Sequence, residues 1–219
     1  MDALLDTPLG PVLLRASDQG LTGLYFLDQR DAPVLDLAGL PGTEALPRIT
    51  DPRQGFHAGQ SLASLSVSAR HETAGDSPVT HWEQSAVGGL RPVLPNAALS
   101  PFFLIVREQL GHYFLGKLQT FTVPLDLEAI GTPFQVSIWK ALTKIPYGCC
   151  VSYADLARAA GYGPQHSRAT GVAVGKNPIS ILVPCHRIVS SNHRLTGYSG
   201  GLHRKRALLL LEGLGVGSV

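Results

Sequence analysis

The apolar positions along this chain fall into three regimes. At the start, TPLGPVLLRASDQGLTGLYFLD carries two short apolar runs, residues 12–14 and 21–27, on either side of Ser17-Asp-Gln-Gly20. Short apolar runs around turn-forming residues predict two strands joined as a hairpin. From about residue 32 to 97 the pattern dissolves. That stretch is rich in Gly, Pro, Ser, Ala and Asp, with scattered apolar residues and no sustained period. It reads as irregular connection, with room for a strand or two and for partial disorder. Regularity returns at Ser100-Pro101, a good N-cap followed by a residue suited to the first helical position. In the predicted helix Phe102, Val106, Leu110 and Phe114 recur four apart, with Phe103 and Tyr113 flanking, which makes a core-facing stripe. Phe121-Thr-Val-Pro-Leu125 then reads as an edge strand or an extended link.

A second periodic region opens at Thr132-Pro-Phe-Gln135. Thr132 with Gln135 three residues on is a capping box, and Phe134, Ile138, Leu142 and Ile145 line one helical face up to Pro146-Tyr-Gly148. Ser152 caps a short helix that stops at Gly161. The turn GYGPQ leads to a third helix, near residues 166–174. Helix, glycine-bearing turn, helix is the spacing of a helix-turn-helix. Many unrelated helix pairs share that spacing, so alone it is a weak signal.

Composition sharpens this picture only where it divides. The 219 residues, 44% hydrophobic and 16% charged, suffice for one large domain or two small ones. The net charge of +2 conceals an asymmetry: residues 1–128 carry 8 Lys and Arg against 14 acids, residues 129–219 carry 10 against 2. The sign changes where Gly131 precedes the capping box, so the domain boundary is placed at about 128–131. A basic C-terminal part fits a polyanionic partner such as nucleic acid, and fits a solubilising surface equally well on charge alone. MDALLDTPLG has neither the basic nor the apolar region of a signal peptide, and no apolar run reaches membrane-spanning length. Three cysteines, Cys149, Cys150 and Cys185, two of them adjacent, do not make a disulfide framework or a zinc site. The expected setting is cytoplasmic.

One stretch resists a reading as packing: ILVPCHRIV, residues 181–189, sets Cys185, His186 and Arg187 inside an apolar run. Burying such groups costs free energy unless each has a partner. A buried inert thiol is the commoner state for a free cysteine. Here, though, an imidazole and a guanidinium stand next to it, conditions that favour a thiolate nucleophile. Adjacent side chains seldom face each other in extended chain, so His186 is expected to act on Cys185 through a water, oriented by a third group. The C-terminal part has two acids; Asp155 belongs to its own helix start, which leaves Glu212 as the candidate orienter, with an exposed helix-end carboxylate as the competing reading.

GTPFQVSIWKAL, IPYG, VSYADLARAAG, SRATGVAVGKNPISILVPCHRIV and TGYSGGLHRKRALLLLEG, in that order, closely resemble the O6-alkylguanine-DNA alkyltransferases, also called methylated-DNA–protein-cysteine methyltransferases. The resemblance runs from Gly131 to Gly213 almost without gaps, and PCHR after NPISILV is highly specific to the family. TPLGPVLLRASDQGLTGLYF and the helix at 101–116 resemble parts of the family's N-terminal domain. The middle segment matches poorly. The implied fold class is α+β: residues 1–128 form an N-terminal α/β domain with a small antiparallel sheet, and residues 129–219 a mostly helical domain with a winged helix-turn-helix.

The resemblance implies direct-reversal DNA repair. A flipped-out O6-alkylguanine enters an apolar pocket, the thiolate attacks its alkyl carbon, and the alkyl group stays on the protein. No cofactor and no metal are implied, and each molecule reacts once. By motif position Cys185 is the alkyl acceptor, His186 the water-mediated base and Glu212 its orienter. Tyr153 donates to guanine N3 and crowds the backbone phosphate. Tyr198 and Ser199 line the pocket with Val183 and Ile188; backbone carbonyls near Cys185 and Ile188 accept from the guanine amino group, and the Ser199 N–H meets the departing O6. Asn177 ties the second helix to the active-site segment. Arg168 fills the gap in the base stack. Small residues beside it, Ala169, Gly171, Val172 and Ala173, fit close approach to a duplex. The implied partner is double-stranded DNA, entered from the minor groove without sequence preference, by a monomer and away from membranes; cooperation between copies on DNA, O4-alkylthymine repair and the range of alkyl groups stay open.

Departures from the family pattern are few. The absence of a cysteine before Cys149 argues against the N-terminal zinc of some relatives, and the absence of a preceding metal-binding domain against the transcription-regulating version. Cys149 and Cys150 have no family role and are expected as buried thiols. His193 stands where relatives carry Asn-Gly, which bears on loop conformation. Competing readings are a damage binder without chemistry, which the presence of Cys185 opposes, a Cys-His hydrolase, and a plain DNA-binding module.

Overall fold

The computed structural model describes residues 1–33, 99–192 and 194–215. His193 and nearly all of the 32–97 segment therefore lie outside the described residues. The N-terminal part begins with three strands, β1 (Asp2–Leu5), β2 (Val12–Ala16) and β3 (Leu21–Phe26), in an antiparallel meander of that order. The hairpin expected at residues 17–20 joins β2 to β3. Gly20 there is needed for close approach: a Cβ would fall 2.6 Å from the Pro124 carbonyl oxygen.

The outer edge of β3 is covered rather than left open. Leu21 N–H donates to Pro124 O at 2.9 Å and its carbonyl accepts from Asp126 N at 3.0 Å, so residues 121–125 form an extended link docked beside β3. Three residues on, Leu24 N–H donates to Pro178 O at 2.9 Å and Leu24 O accepts from Ser180 N at 3.0 Å. The segment that leads to Cys185 is thus hydrogen-bonded to the N-terminal sheet, and an edge that could template aggregation is closed.

Helix α1 (Pro101–Phe114) is capped by Ser100, whose hydroxyl accepts from Phe103 N. Its buried stripe is Phe103, Val106, Leu110, Tyr113 and Phe114. Val106, Leu110 and Phe114 of the expected stripe are buried, with both flanking residues; Phe102 is only half-buried, so the stripe is centred toward Phe103 and Tyr113, and Tyr113 faces fully inward. Helix α2 (Pro133–Leu142) starts with the Thr132–Gln135 capping box. Ser152 and Asp155 make a second box at the start of α3 (Tyr153–Ala159). A short 3-10 turn (Pro164–His166) leads into α4 (Ser167–Gly175), and the two helices pack together. Two-residue strands β4 (Val151–Ser152) and β5 (Ile188–Val189) pair in parallel, and α5 (Leu202–Leu211) closes the described chain. One apolar core runs through both parts, from Leu14, Phe26 and Leu110 to Ile138, Ile179 and Cys185. Arg204 of α5 adds a polar tie across it: its guanidinium pairs with Asp28 at 2.8 Å, donates to Leu9 O and lies 4.3 Å from the Phe26 ring centre. Among the described residues no helix is long and apolar enough to cross a membrane.

Candidate active site

Chain geometry brings Cys185 to a cavity wall. After α4 the backbone makes a tight turn over residues 177–183, in which Ile181 adopts a φ of +71°. For a β-branched residue that conformation is strained, and it persists only where surrounding contacts impose it. Asn177 imposes it here. Its buried Nδ2 donates to Val183 O at 2.8 Å and to Cys185 Sγ at 3.0 Å, while its Oδ1 accepts from Ile179 N at 3.1 Å. Cys185 then opens a 3-10 turn (Cys185–Arg187) in which all three side chains are buried.

His186 is fully buried and its Nε2 lies 2.8 Å from Glu212 Oε1. Burial lowers its pKa, against the pull of the Glu212 carboxylate, so the imidazole is neutral at neutral pH. With the proton on Nε2 facing the carboxylate, Nδ1 is left as an acceptor, and it has no hydrogen-bond partner among the described residues. Burial also raises the Cys185 pKa, an effect offset in part by the Asn177 hydrogen bond and the Lys205 charge. At rest the pair is thiol and neutral imidazole.

Glu212, the C-cap of α5, is the hub. It accepts from Tyr113 Oη at 2.7 Å, from His186, from Arg187 Nε and Nη2 at 2.9 Å each, and from Gly148 N at 3.1 Å. Burial alone would push its carboxyl up; the His186, Arg187 and Tyr113 hydrogen bonds outweigh that and hold it at about 2. The competing reading of an exposed helix-end carboxylate is therefore wrong. Arg187, fixed further on Ile145 O, serves as the standing counter-charge.

A cavity of about 850 Å³ lies over the thiol. Tyr153, Gly171, Cys185, Tyr198 and Ser199 line it, and Asp28, Arg30 and Asp31 from the loop after β3 reach it from the N-terminal part. Tyr153, the first residue of α3, has its hydroxyl 2.9 Å from Thr196 Oγ1. Ser199 Oγ donates to Gly175 O at 2.8 Å, fastening the 190–201 loop to the end of α4. Arg168, Ala169 and Val172 stand exposed on α4.

Some expected placements differ. Val183 and Ile188 are fully buried and do not line the cavity; their carbonyls accept from Asn177 and Lys205. Ala173 faces the core, where its carbonyl accepts from Trp139 Nε1, and so is absent from the exposed face of α4. Cys149 is exposed and Cys150 half-buried, because the turn after Pro146 carries them to the surface. Three polar residues of the site went unforeseen: Tyr113, Thr196 and Lys205. The Lys205 ammonium is buried and donates to Ile188 O and Thr196 O, holding the 3-10 turn and the cavity loop together. Its position one turn before Leu209, on the face shared with Leu208 and Glu212, was the available signal.

A buried thiol lining a cavity, with an imidazole–carboxylate pair at the next residue and the packed helices α3 and α4 beside it, defines an α+β protein built around one cavity cysteine. Residues 133–214 match the family model of the 6-O-methylguanine DNA methyltransferase DNA-binding domain. A methylated-DNA–protein-cysteine methyltransferase of Mycobacterium bovis is 53% identical over 105 residues, 48% of this chain and 62% of its own. One from Methanosarcina acetivorans is 49% identical over 112 residues, 51% of this chain and 70% of its own. The crystal structure of Mycobacterium tuberculosis OGT in complex with DNA superposes with a TM-score of 0.60 at 33% identity, covering 95% of this chain and 90% of that one. The aligned stretch spans somewhat under two thirds of the mycobacterial relatives' length. The chain belongs to the methylated-DNA–protein-cysteine methyltransferase family.

Proposed function

We propose that this protein repairs O6-alkylguanine in duplex DNA by moving the alkyl group irreversibly to Cys185. The observation that carries this reading is the thiol in the cavity wall, held by Asn177 and backed by a neutral His186 that Glu212 orients. The target nucleotide leaves the stack and enters the cavity. His186 Nδ1 takes the thiol proton through a water, and the thiolate attacks the alkyl carbon. An S–C bond forms as the C–O6 bond breaks, and its electron pair goes to the guanine. Tyr153 donates at N3 and the Ser199 N–H meets O6. Because the resting thiol is protonated, it is a weaker nucleophile toward stray electrophiles than a standing thiolate would be. The product thioether is a poor leaving group, so each molecule acts once, without cofactor.

In this reading α3 and α4 form the helix-turn-helix that enters the minor groove as a monomer, with Ala169, Gly171 and exposed Val172 allowing close approach and Arg168 filling the vacated stack. Residues 129–219 form the DNA-binding and acceptor domain, residues 1–128 the domain that docks the active-site segment on its sheet, and the protein works in the cytoplasm.

The test is titration against a duplex bearing one O6-methylguanine with a labelled methyl group, followed by mass analysis. One methyl per protein on Cys185 is expected, and Cys185→Ala should bind the duplex yet accept nothing. Tight binding with no transfer by the native protein would mean a damage binder; methyl release with turnover would mean a hydrolase-type enzyme.

A further inference from the structure

We propose that Tyr113, on α1 in the N-terminal part, is a positioning residue for the transfer reaction: its phenol fixes the Glu212 carboxylate so that His186 is aligned as base. The inference rests on the proposed roles of Cys185 and His186 and adds a residue outside the matched 133–214 stretch.

The geometry is specific. Tyr113 Oη donates at 2.7 Å to Oε1, the same oxygen that meets His186 Nε2 at 2.8 Å and Arg187 Nη2 at 2.9 Å. Oε2 is occupied by Arg187 Nε at 2.9 Å and Gly148 N at 3.1 Å. The carboxylate is therefore held on both oxygens, and it cannot turn about its last bond without giving up a donor. Tyr113 and Glu212 are both buried, so water does not replace a lost phenol. The titratable groups around the carboxylate are His186 and Arg187 of the 3-10 turn, Tyr147 and Cys150 ahead of β4, and Tyr113, while the Lys205 charge of α5 acts on His186. Among these only Tyr113 comes from the N-terminal part. Burial, reinforced by the Glu212 charge, raises the Tyr113 pKa well above its ordinary value. The phenol is thus a permanent donor.

Removing that donor leaves the Glu212 charge less shared. Both Glu212 and His186 then hold protons more tightly, and the neutral base is lost at a higher pH. Tyr113→Phe keeps the ring and its contacts with Phe114, Phe121 and Tyr147. In the full chain, the His186 titration would be followed by NMR and the single-turnover rate by pH. We expect the His186 midpoint to rise by at least about half a pH unit, with the acid limb of the rate moving alongside. Replacing the Tyr113 phenol by a difluorinated one, a stronger donor of the same shape, should move the midpoint down. In a Glu212→Gln background Tyr113→Phe should add no shift. A slower reaction with an unmoved midpoint in both variants, or a further shift in the Glu212→Gln background, would overturn the proposal and leave Tyr113 a packing residue. If the native protein transfers no alkyl group, the acceptor reading fails on its own, while the His186 midpoints still decide the role of Tyr113.

Discussion

Glu212→Gln changes the centre of the buried network at constant volume, and its cost follows from the geometry. The native carboxyl is held at about 2 against an ordinary 4.5. A fall of about 2.5, at ~1.4 kcal/mol each, corresponds to roughly 3 kcal/mol of native-state stabilisation at pH 7. Because the folded value lies below the unfolded one, that stabilisation is fully present above pH 4.5 and is lost as pH falls toward 2. Glutamine has one accepting oxygen and an amino group that only donates, so Arg187 Nε or the Gly148 N–H would face another donor. Against a total stability of about 5–15 kcal/mol the loss is large but survivable. Urea denaturation of both proteins at pH 7, 5 and 3 is the assay. The native protein should exceed the variant by about 3 kcal/mol at pH 7 and 5, with the gap narrowing at pH 3. A gap below about 1 kcal/mol at pH 7, or one as wide at pH 3 as at pH 7, would refute the view that Glu212 is a strongly stabilised anion.

Two further outcomes follow from other parts of the molecule. Arg168→Ala, at an exposed position on α4, should slow repair of duplex DNA about ten-fold or more while leaving reaction with free O6-benzylguanine near native; equal losses on both substrates would remove its role at the vacated stack. Burial lowers the Lys205 pKa from 10.5 to about 8, so the native protein should gain stability relative to Lys205→Met as pH rises from 8 to 10.5, and a constant difference in denaturation midpoint between pH 7.5 and 10 would contradict this.

What the sequence disclosed was local or carried by motif. The Thr132–Gln135 box, the hairpin around Ser17–Gly20 and the Ser100 cap are each made within a few residues, where backbone donors and side-chain acceptors have little choice. Glu212 emerged as orienter because the basic half holds only two acids, and the structure places it on His186. Asn177 was expected to tie α4 to the active-site segment, and it reaches Cys185 Sγ itself. What stayed hidden depends on tertiary closure. Tyr113 meets a partner 99 residues away, and nothing in a four-residue period says which core aromatic carries a functional hydroxyl. The one hint was general: a buried tyrosine needs a partner for its O–H. Lys205 was concealed in a run of basic residues that reads as a solvated face, although its register with Leu209 turns it inward.

The Glu212 hub also bears on when the protein becomes competent. Its donors come from residues 113, 148, 186 and 187, and the carboxylate itself from the end of α5. No fragment lacking any of these segments can assemble the acceptor's surroundings. In the proposed chemistry a molecule has one reaction to give and no means of recovering it. Tying the thiol's activation to contacts this distant makes readiness a property of the finished fold: incompletely folded chains lack the organised base that the proposed transfer uses.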